Sequence, residues 1–185
     1  MDTLFLEKIK NSTPIYQQID EFEDADDEMR EIAEYIKKTT QHNEYVEPKR
    51  VKYLYTSKPK KDGSRYGLFD LVKRNGMEKM IDDKYDFILT VFYDVWKDLT
   101  PEQRIISLDK ALCAIDMGTM ETPKIGKQGP DSKEYTANMR YYGADKVMGI
   151  SETIDLACQR ILDERKDALK EKRQSKKGKK QSEMA

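Results

Sequence analysis

The chain has few of the residues that build common metal and nucleophile sites. Its 185 residues include one histidine, His42, and two cysteines. A single histidine excludes every site that needs two imidazole ligands. Its position at a predicted helix end leaves no plausible Ser-His-Asp or Cys-His arrangement. Cys113 and Cys158 lie in apolar, helix-like stretches, which predicts two reduced thiols of a cytosolic protein rather than a disulfide.

Long apolar runs and targeting signals are also absent. The longest strongly apolar stretch covers residues 87–92, which is far shorter than the roughly 18 residues of a membrane span. The first residues contain neither the basic region nor the apolar core of a signal peptide, and the sequence has no glycine-rich phosphate loop. We therefore expect a cytoplasmic protein without a membrane segment.

The net charge is small, but the charges are segregated along the chain. The 34 basic and 35 acidic residues give a formal charge of −1, which excludes a uniformly basic nucleic-acid binder and a uniformly acidic DNA mimic. Residues 20–34, the acidic block, contain nine acidic side chains and one basic one. Such a block is either a solvated linker or a surface that competes for a basic cleft on another protein. The candidate protein-binding residues are Asp20, Glu21, Glu23, Asp24, Asp26 and Asp27.

Basic side chains are concentrated in a predicted hairpin and near the C-terminal end. Residues 170–180 contain seven basic side chains and one acidic one. Lysines beside strand tyrosines, and a cationic tail, are suited to phosphate backbones. Loop lysines can equally be solubilising, and the tail can equally bind an acidic partner or fold onto the acidic block. The candidate nucleic-acid-binding residues are Lys58, Lys60, Lys61, Arg65, Lys172, Arg173, Lys176, Lys177, Lys179 and Lys180.

The first half of the chain alternates between helical and strand patterns. Apolar residues at helical spacing predict an amphipathic helix over residues 26–40, and alternation predicts a strand over 50–57. A turn at 58–64 and a return strand over 65–72 predict a hairpin. Residues 85–92 are predicted to form a buried third strand.

The second half is predicted to be mainly helical. Thr100 as N-cap, Pro101 at the first helical position and Gln103 two residues later mark a helix start. This helix is predicted to end near residues 116–118, and a last helix begins at Ser151. The expected fold is α+β, with a small, mostly antiparallel sheet packed against helices and a long C-terminal helix.

The charge pattern divides the chain into three predicted parts. Residues 1–25 read as an acidic flexible arm, residues 26–170 as the α+β domain, and residues 171–185 as a basic, disordered tail. Within the domain, residues 119–140 contain two prolines and two glycines and are predicted to be an irregular loop.

One stretch is specific enough to suggest a family. Residues 85–104 contain a strand, an Asp-Val-Trp turn and an L-T-P-E-Q-R helix start. This run resembles the phage metallopeptidase family, a zincin-like group similar to SprT-type proteases. The resemblance covers residues 26–115 well and is looser beyond them, and it implies a minimal zincin-like domain. The matching positions are Asp94, Val95, Trp96, Leu99, Thr100, Glu102, Gln103, Arg104, Leu108, Asp109, Leu112, Cys113 and Ile115.

The resemblance also implies a zinc site whose residues this chain lacks. In the family, D-H-E-L-C-H on the helix supplies two histidine ligands and a glutamate base. This chain has Lys110, Ala111 and Ala114 at those three positions, and no histidine near the family's later third ligand, around residues 143–145. A lysine cation would also repel Zn²⁺. We therefore expect a degenerate member with no peptidase activity, no metal and no cofactor.

Several residues near this helix have two interpretations. Asp109 and Cys113 are four residues apart and can share a face in a rebuilt metal site with Asp116, although an apolar-face cysteine beside a polar neighbour is the simpler interpretation. The Lys110 ammonium can replace the metal structurally by pairing with Asp109 or Asp145.

Two aromatic side chains are also open to a functional interpretation. His42 is interpreted as a surface histidine at a helix end, near the helix dipole. Trp96 is interpreted as an anchor of the strand-to-helix turn rather than as an exposed binding aromatic.

The resemblance implies a bacteriophage origin and a groove shaped for a protein substrate. We therefore predict a non-catalytic protein-binding module that inhibits or redirects a host protein of defence, transcription or replication, in the cytoplasm of an infected bacterium. The alternative is a nucleic-acid-associated accessory protein that uses the basic hairpin and tail. A third possibility is an active peptidase with an unusual metal site, which chelator-sensitive cleavage would reveal.

Overall fold

The computed structural model describes residues 2–62, 65–116, 126–130 and 134–182, and of residues 62, 65 and 172–182 it describes the backbone alone. The predicted α+β fold with a long C-terminal helix is confirmed. In chain order the elements are α1 (Thr3–Lys10), β1 (Phe22–Asp24), α2 (Asp26–Thr39), β2 (Val51–Thr56), β3 (Lys60–Asp62), β4 (Arg65–Gly67), β5 (Phe69–Lys73), α3 (Gly76–Ile81), β6 (Phe87–Phe92), α4 (Tyr93–Trp96), α5 (Pro101–Leu112), β7 (Ile115–Asp116), β8 (Gly126–Lys127), α6 (Thr136–Tyr142) and α7 (Ala144–Ser182).

Four strands form the main sheet in the order β1-β2-β6-β5. The pairs β1–β2 and β5–β6 are antiparallel, whereas β2 and β6 run parallel with Tyr53 opposite Leu89. The predicted strands at 50–57 and 85–92 are confirmed, but the predicted hairpin between 50–57 and 65–72 is wrong because β6 lies between β2 and β5. A local pattern shows that a strand exists, whereas long-range packing decides which strand it pairs with.

The predicted return strand is divided between two sheets. Its first part, β4, pairs with β3 in a separate two-stranded sheet, and its second part, β5, is an edge strand of the main sheet. Residues 63 and 64, where the predicted turn glycine lies, are outside the described residues.

Helix α2 is the most strongly amphipathic element of the core. Met29, Ile32, Ala33 and Ile36 are all completely buried, as the helical spacing predicts. They belong to the same apolar core as Tyr53 and the inward-facing residues of β6. Burial of this face, rather than helix propensity, stabilises a helix of this length.

The N-terminal segment contains regular structure where the sequence predicted a flexible arm. Helix α1 is capped by the Asp2 side chain, which accepts a hydrogen bond from the Leu4 backbone nitrogen. Ile9 is 2% exposed, and the Phe5 ring stacks on Tyr35 with centroids 3.9 Å apart. So short a helix has weak periodicity, and it depends on contacts with α2 that no local pattern reveals.

The C-terminal half is more helical than predicted. Helix α6 begins within the segment expected to be irregular, and α7 begins at Ala144 rather than Ser151. Helix α7 also continues to Ser182, beyond the point where the sequence predicted fraying. Among the described residues, no helix is both long and apolar enough to cross a membrane. The division into arm, domain and tail stays a prediction.

An ion-pair cluster joins the entry points of β2 and β6, and it makes stability depend on pH. Asp86 is 2% exposed, accepts a hydrogen bond from Arg50 Nε at 2.7 Å and pairs with Lys79. The Arg50 guanidinium, with help from Lys79, holds the pKa of the Asp86 carboxyl below its ordinary value.

We expect Asp86→Asn to lower the free energy of unfolding at pH 7 by about 1 kcal/mol, since both cations are partly exposed. A lowered folded-state pKa gives stability that is present above the unfolded value of about 3.9 and is lost as pH falls through the folded value. Urea denaturation at pH 7 and at pH 3 should therefore show a difference between the variant and the wild type that shrinks at pH 3. Asp83→Asn, at an exposed partner of Arg50, is the control. An equal effect of Asp86→Asn at both pH values would show that the ionised Asp86 carboxylate is not the source of this stability.

Candidate functional site

Helix α5 begins where the sequence predicted. The Thr100 side chain accepts from the Gln103 backbone nitrogen, the Gln103 side chain accepts from the Thr100 nitrogen, and Pro101 occupies the first turn. This reciprocal cap satisfies two of the free N–H groups at the helix start. The helix ends at Leu112, four residues earlier than the predicted end at 116–118.

The last two turns of α5 present two chemically different faces. Lys110 and Ala114, which follows the C-cap residue Cys113, are four residues apart and lie on one side of the helix end. Asp109 and Cys113, each one residue earlier, lie about 100° around the helix axis. The two faces meet different parts of the protein, a cleft on the first side and a buried polar cluster on the second.

The first face lines a cleft of about 510 Å³ between α5, the edge strand β5 and α7. Its apolar lining includes Phe69, Leu71, Leu89 and Ile154. Three ammonium-bearing side chains line it as well, namely Lys60, Lys110 and Lys127. Ala111 and Ala114 complete the α5 wall. The cleft is therefore lined by both apolar and cationic side chains.

The Lys110 ammonium is hydrogen-bonded to residues of other segments rather than free in the cleft. Its Nζ donates to Glu134 Oε1 at 2.8 Å and to Ser151 Oγ at 3.0 Å. Glu134 is 4% exposed, so the ammonium neutralises a buried carboxylate. The predicted pairing with Asp109 or Asp145 is wrong because Asp109 lies on the other face of α5 and Asp145 is exposed on α7.

The residues at this face do not fit the zinc ion that the resemblance implies. Ala111 and Ala114 offer no ligand atom, and the Lys110 ammonium repels a cation. Among the described residues that line the cleft there is no histidine and no cysteine, and Asp155 is the one carboxylate. Zinc hydrolysis needs at least three protein ligands around an open position, and the described lining of this cleft does not supply them.

The second face of α5 meets the only histidine of the chain. The interpretation of His42 as a surface residue is wrong, since its side chain is 15% exposed and its Nε2 lies 3.0 Å from Asp109 Oδ2. Asp109 is completely buried. Its carboxylate also accepts from Asn43 Nδ2 and from Asn138 Nδ2 at 3.0 Å. Burial, and then this carboxylate, raise the pKa of Tyr142 well above its ordinary value.

Cys113 completes this group on the second face. One ligand atom each from His42, Asp109 and Cys113 lies within 4.8 Å of the others. The sequence identified Asp109 and Cys113 as a shared face, but it added Asp116, which is exposed on β7. His42 is the member that spacing along α5 cannot find, because it is 67 residues away from Asp109 in the chain.

Trp96 and Arg104, two of the residues that carry the family resemblance, both contact a buried carboxylate. Glu28 of α2 accepts from Arg104 Nη1 at 3.2 Å and from Trp96 Nε1 at 3.3 Å, and it also accepts from the Tyr55 hydroxyl. Thr13 donates to it at 2.7 Å. Trp96 is completely buried, which confirms its interpretation as an anchor of the turn.

The acidic block does not form one continuous acidic surface. Lys52 binds Asp24 at 2.5 Å and Asp26 at 2.8 Å, and Asp26 is 9% exposed. Glu28 is buried in the cluster just described. Four other candidate residues are exposed or half-buried and are not bound by Lys52, namely Asp20, Glu21, Glu23 and Asp27.

The basic candidates are also separated from one another. Lys58 and Lys61 are exposed, whereas Lys60 pairs with Asp70 at 2.5 Å and lines the cleft. The side chains of Arg65 and of the tail residues lie outside the described part of the chain. The tail positions concerned are Lys172, Arg173, Lys176, Lys177, Lys179 and Lys180.

The partners that complete both faces of α5 were not predicted from the sequence. Glu134 and Ser151 contact Lys110, whereas Asn43 and Asn138 contact Asp109. A polar residue in a loop or an exposed-looking helix has no local signal that it will be buried against another element.

Comparison with known proteins agrees with the resemblance of the sequence. No curated protein and no solved structure matches the chain. A family model described as putative phage metallopeptidase matches residues 20–162, which include β1, α2, all of the main sheet, α5 and both faces described above. The chain therefore belongs to the putative phage metallopeptidase family.

Proposed function

We propose that this protein is a non-catalytic member of its family, and that its cleft binds a segment of another protein without cleaving it. The partner would be a protein of the bacterial host, which the phage protein inhibits or redirects. The observation that carries the proposal is the position of Lys110, Ala111 and Ala114 in the wall of the cleft.

The chemistry at these three positions supports binding rather than hydrolysis. A metallopeptidase needs ligands for the metal and a base for its bound water, and two methyl groups supply neither. The ammonium of Lys110 is engaged by Glu134 and Ser151, so it is not free to act as a base. The cleft itself remains open and keeps its apolar lining, which is the part of a site that binds a side chain.

The lining also defines the kind of segment that would fit. Phe69, Leu71 and Ile154 favour an aliphatic or aromatic side chain, while Lys127 favours a neighbouring carboxylate. Lys127 Nζ donates to the Leu71 backbone oxygen at 2.9 Å, so this cation is placed directly beside the edge strand. An extended segment with apolar and acidic residues matches both features.

The test is capture of a partner by the full chain and by a variant with a filled cleft. Tagged wild type, Ala111→Trp and Leu169→Trp are incubated with bacterial lysate, each with and without nuclease, and bound proteins are identified by mass spectrometry. Leu169 is exposed and does not line the cleft, so its variant carries the same new side chain elsewhere. We expect one protein to be enriched by the wild type and by Leu169→Trp, and lost with Ala111→Trp, whether or not nuclease is present.

Other results would overturn the proposal. Enrichment that disappears with nuclease would indicate the nucleic-acid role predicted for the basic hairpin and tail. Enrichment that Ala111→Trp leaves unchanged would exclude the cleft as the interface. Cleavage of the captured protein that stops with a chelator would show an active peptidase. Circular dichroism of the three proteins verifies that the tryptophan variants are folded.

A further inference from the structure

The polar cluster on the second face of α5 contains three different metal-ligand types. His42 offers an imidazole nitrogen, Asp109 a carboxylate oxygen and Cys113 a sulfur, all within 4.8 Å of one another. Nitrogen, oxygen and sulfur are the three donor atoms that Zn²⁺ takes in proteins. We infer that His42, Asp109 and Cys113 bind one zinc ion, which fastens the α2–β2 connection to α5 and lies outside the cleft.

The charges of the cluster suit a divalent cation in a buried place. Asp109 is completely buried and Cys113 is 5% exposed. A carboxylate, a thiolate and Zn²⁺ together carry no net charge, so the ion removes the cost of burying the carboxylate. On coordination Cys113 gives its thiol proton to solvent, and His42 presents a ring nitrogen without a proton.

The groups around Asp109 are those that orient a ligating carboxylate. Asn43 and Asn138 donate to it from two different elements, and such donors to a ligand typically fix its orientation. Asn43 Nδ2 also lies 3.6 Å from Cys113 Sγ. Asn43 therefore contacts two of the three ligands, and Asn138 a single one, before the metal arrives.

An unsatisfied polar atom beside the cluster supports a further bound species. Asn138 is completely buried, and its Oδ1 has no hydrogen-bond partner among the residues that the structure describes, although its Nδ2 contacts Asp109. A buried carbonyl oxygen without a donor is costly. A metal-bound water, which would occupy the fourth position of a site with three protein ligands, supplies such a donor.

The ligand distances require a small contraction. Zinc bonds of about 2.0–2.3 Å place tetrahedral ligand atoms roughly 3.5 Å apart, and the present atoms lie within 4.8 Å of one another. The His42 ring lies in a turn after α2 and is 15% exposed, so this side chain can move inward and also provides the route for the ion.

The experiment uses Co²⁺ as a spectroscopic probe of the full chain. Protein stripped with a chelator and dialysed is titrated with Co²⁺, and absorption is recorded in the near-ultraviolet and visible ranges. We expect a thiolate-to-cobalt band that saturates at one ion per chain. Zn²⁺ should displace the cobalt and raise the melting temperature by about 5–11 °C at 100-fold excess over its dissociation constant.

Two cysteine variants separate the site from other metal binding. Cys113→Ser should lose the thiolate band and the thermal shift, whereas Cys158→Ser should keep both. Burial raises the pKa of the Cys158 thiol to about 12, which makes this second cysteine a poor ligand. His42→Gln, at a partly exposed position, should also abolish the thermal shift, and this test does not depend on a substitution in the core.

The assignment would be overturned by a wild type that shows no thiolate band or no zinc-induced shift. A thiolate band that Cys113→Ser retains would overturn it as well. A zinc site in the cleft would give no thiolate band, so this result is independent of the proposed function.

Discussion

Glu28→Gln is expected to lower the free energy of unfolding by about 3–5 kcal/mol, the largest effect of any single substitution considered. The Glu28 side chain is 3% exposed and that of Arg104 is 4% exposed. Removing one charge of a buried pair leaves the other without compensation in a medium of low dielectric constant. Glutamine keeps the shape of the side chain, so the loss reports the charge and its hydrogen bonds rather than a cavity.

Chemical denaturation of the wild type, Glu28→Gln and Glu31→Gln measures this effect. Glu31 is also on α2, but it pairs with Lys8 at the surface, where the two side chains are 37% and 63% exposed. Exposed pairs contribute about 0–1 kcal/mol, so Glu31→Gln should change little. If Glu28→Gln and Glu31→Gln lower the free energy of unfolding by similar amounts, the Glu28 carboxylate does not stabilise the fold through its buried contacts.

The Glu28 cluster gives a physical role to motif residues that carry no catalytic chemistry. Trp96 and Arg104 both donate to Glu28, and Arg104 also donates to the backbone oxygens of Trp96 and Lys97. These contacts join α2, the turn after β6 and the start of α5. The D-x-W and L-T-P-E-Q-R segments can therefore be retained for folding alone, whatever happens at Lys110, Ala111 and Ala114.

The sequence predicted the elements whose signals are local. The helical spacing of Met29, Ile32 and Ile36 identified α2, and the Thr100–Gln103 capping box identified the start of α5. Both are short-range properties of consecutive residues, and both are confirmed. The strands around Tyr53 and Leu89 were predicted for the same reason, the first from alternation and the second from a continuous apolar run, since neither pattern needs knowledge of a neighbour.

The features that were not predicted from the sequence all depend on contacts between distant segments. The parallel pairing of β2 and β6 and the burial of Ile9 in α1 have no local signature. The candidate site shows the same limit. Lys110, Ala111 and Ala114 were identified from the family resemblance, and Asp109 and Cys113 from their spacing. His42 and Glu134 were not identified, because each is brought to α5 from a distant part of the chain.

Removal of the Lys110 ammonium is expected to lower the free energy of unfolding by about 2–3 kcal/mol. Lys110 joins α5 to Glu134 before α6 and to Ser151 on α7, so one cation connects three segments around the cleft. Lys110→Met keeps the aliphatic part of the side chain but leaves the buried Glu134 carboxylate without this cation. A lysine in this place can thus do the structural work of a metal ion without its chemistry.

A double-mutant cycle tests whether the ammonium acts through Glu134. Lys110→Met, Glu134→Gln and the double variant are compared by thermal and urea denaturation, and the two single losses should exceed the double loss by about 1 kcal/mol or more. Lys146→Met is the matched control, because Lys146 pairs with Glu102 where both side chains are 43% exposed. This substitution should cost less than about 1 kcal/mol.

Lys110→His should lose stability as well and should not restore hydrolysis, since Ala111 and Ala114 still offer neither a base nor a second ligand. Additive losses in the cycle would show that Lys110 stabilises the protein in some other way, and hydrolysis by Lys110→His would show that the cleft remains close to a working metallopeptidase.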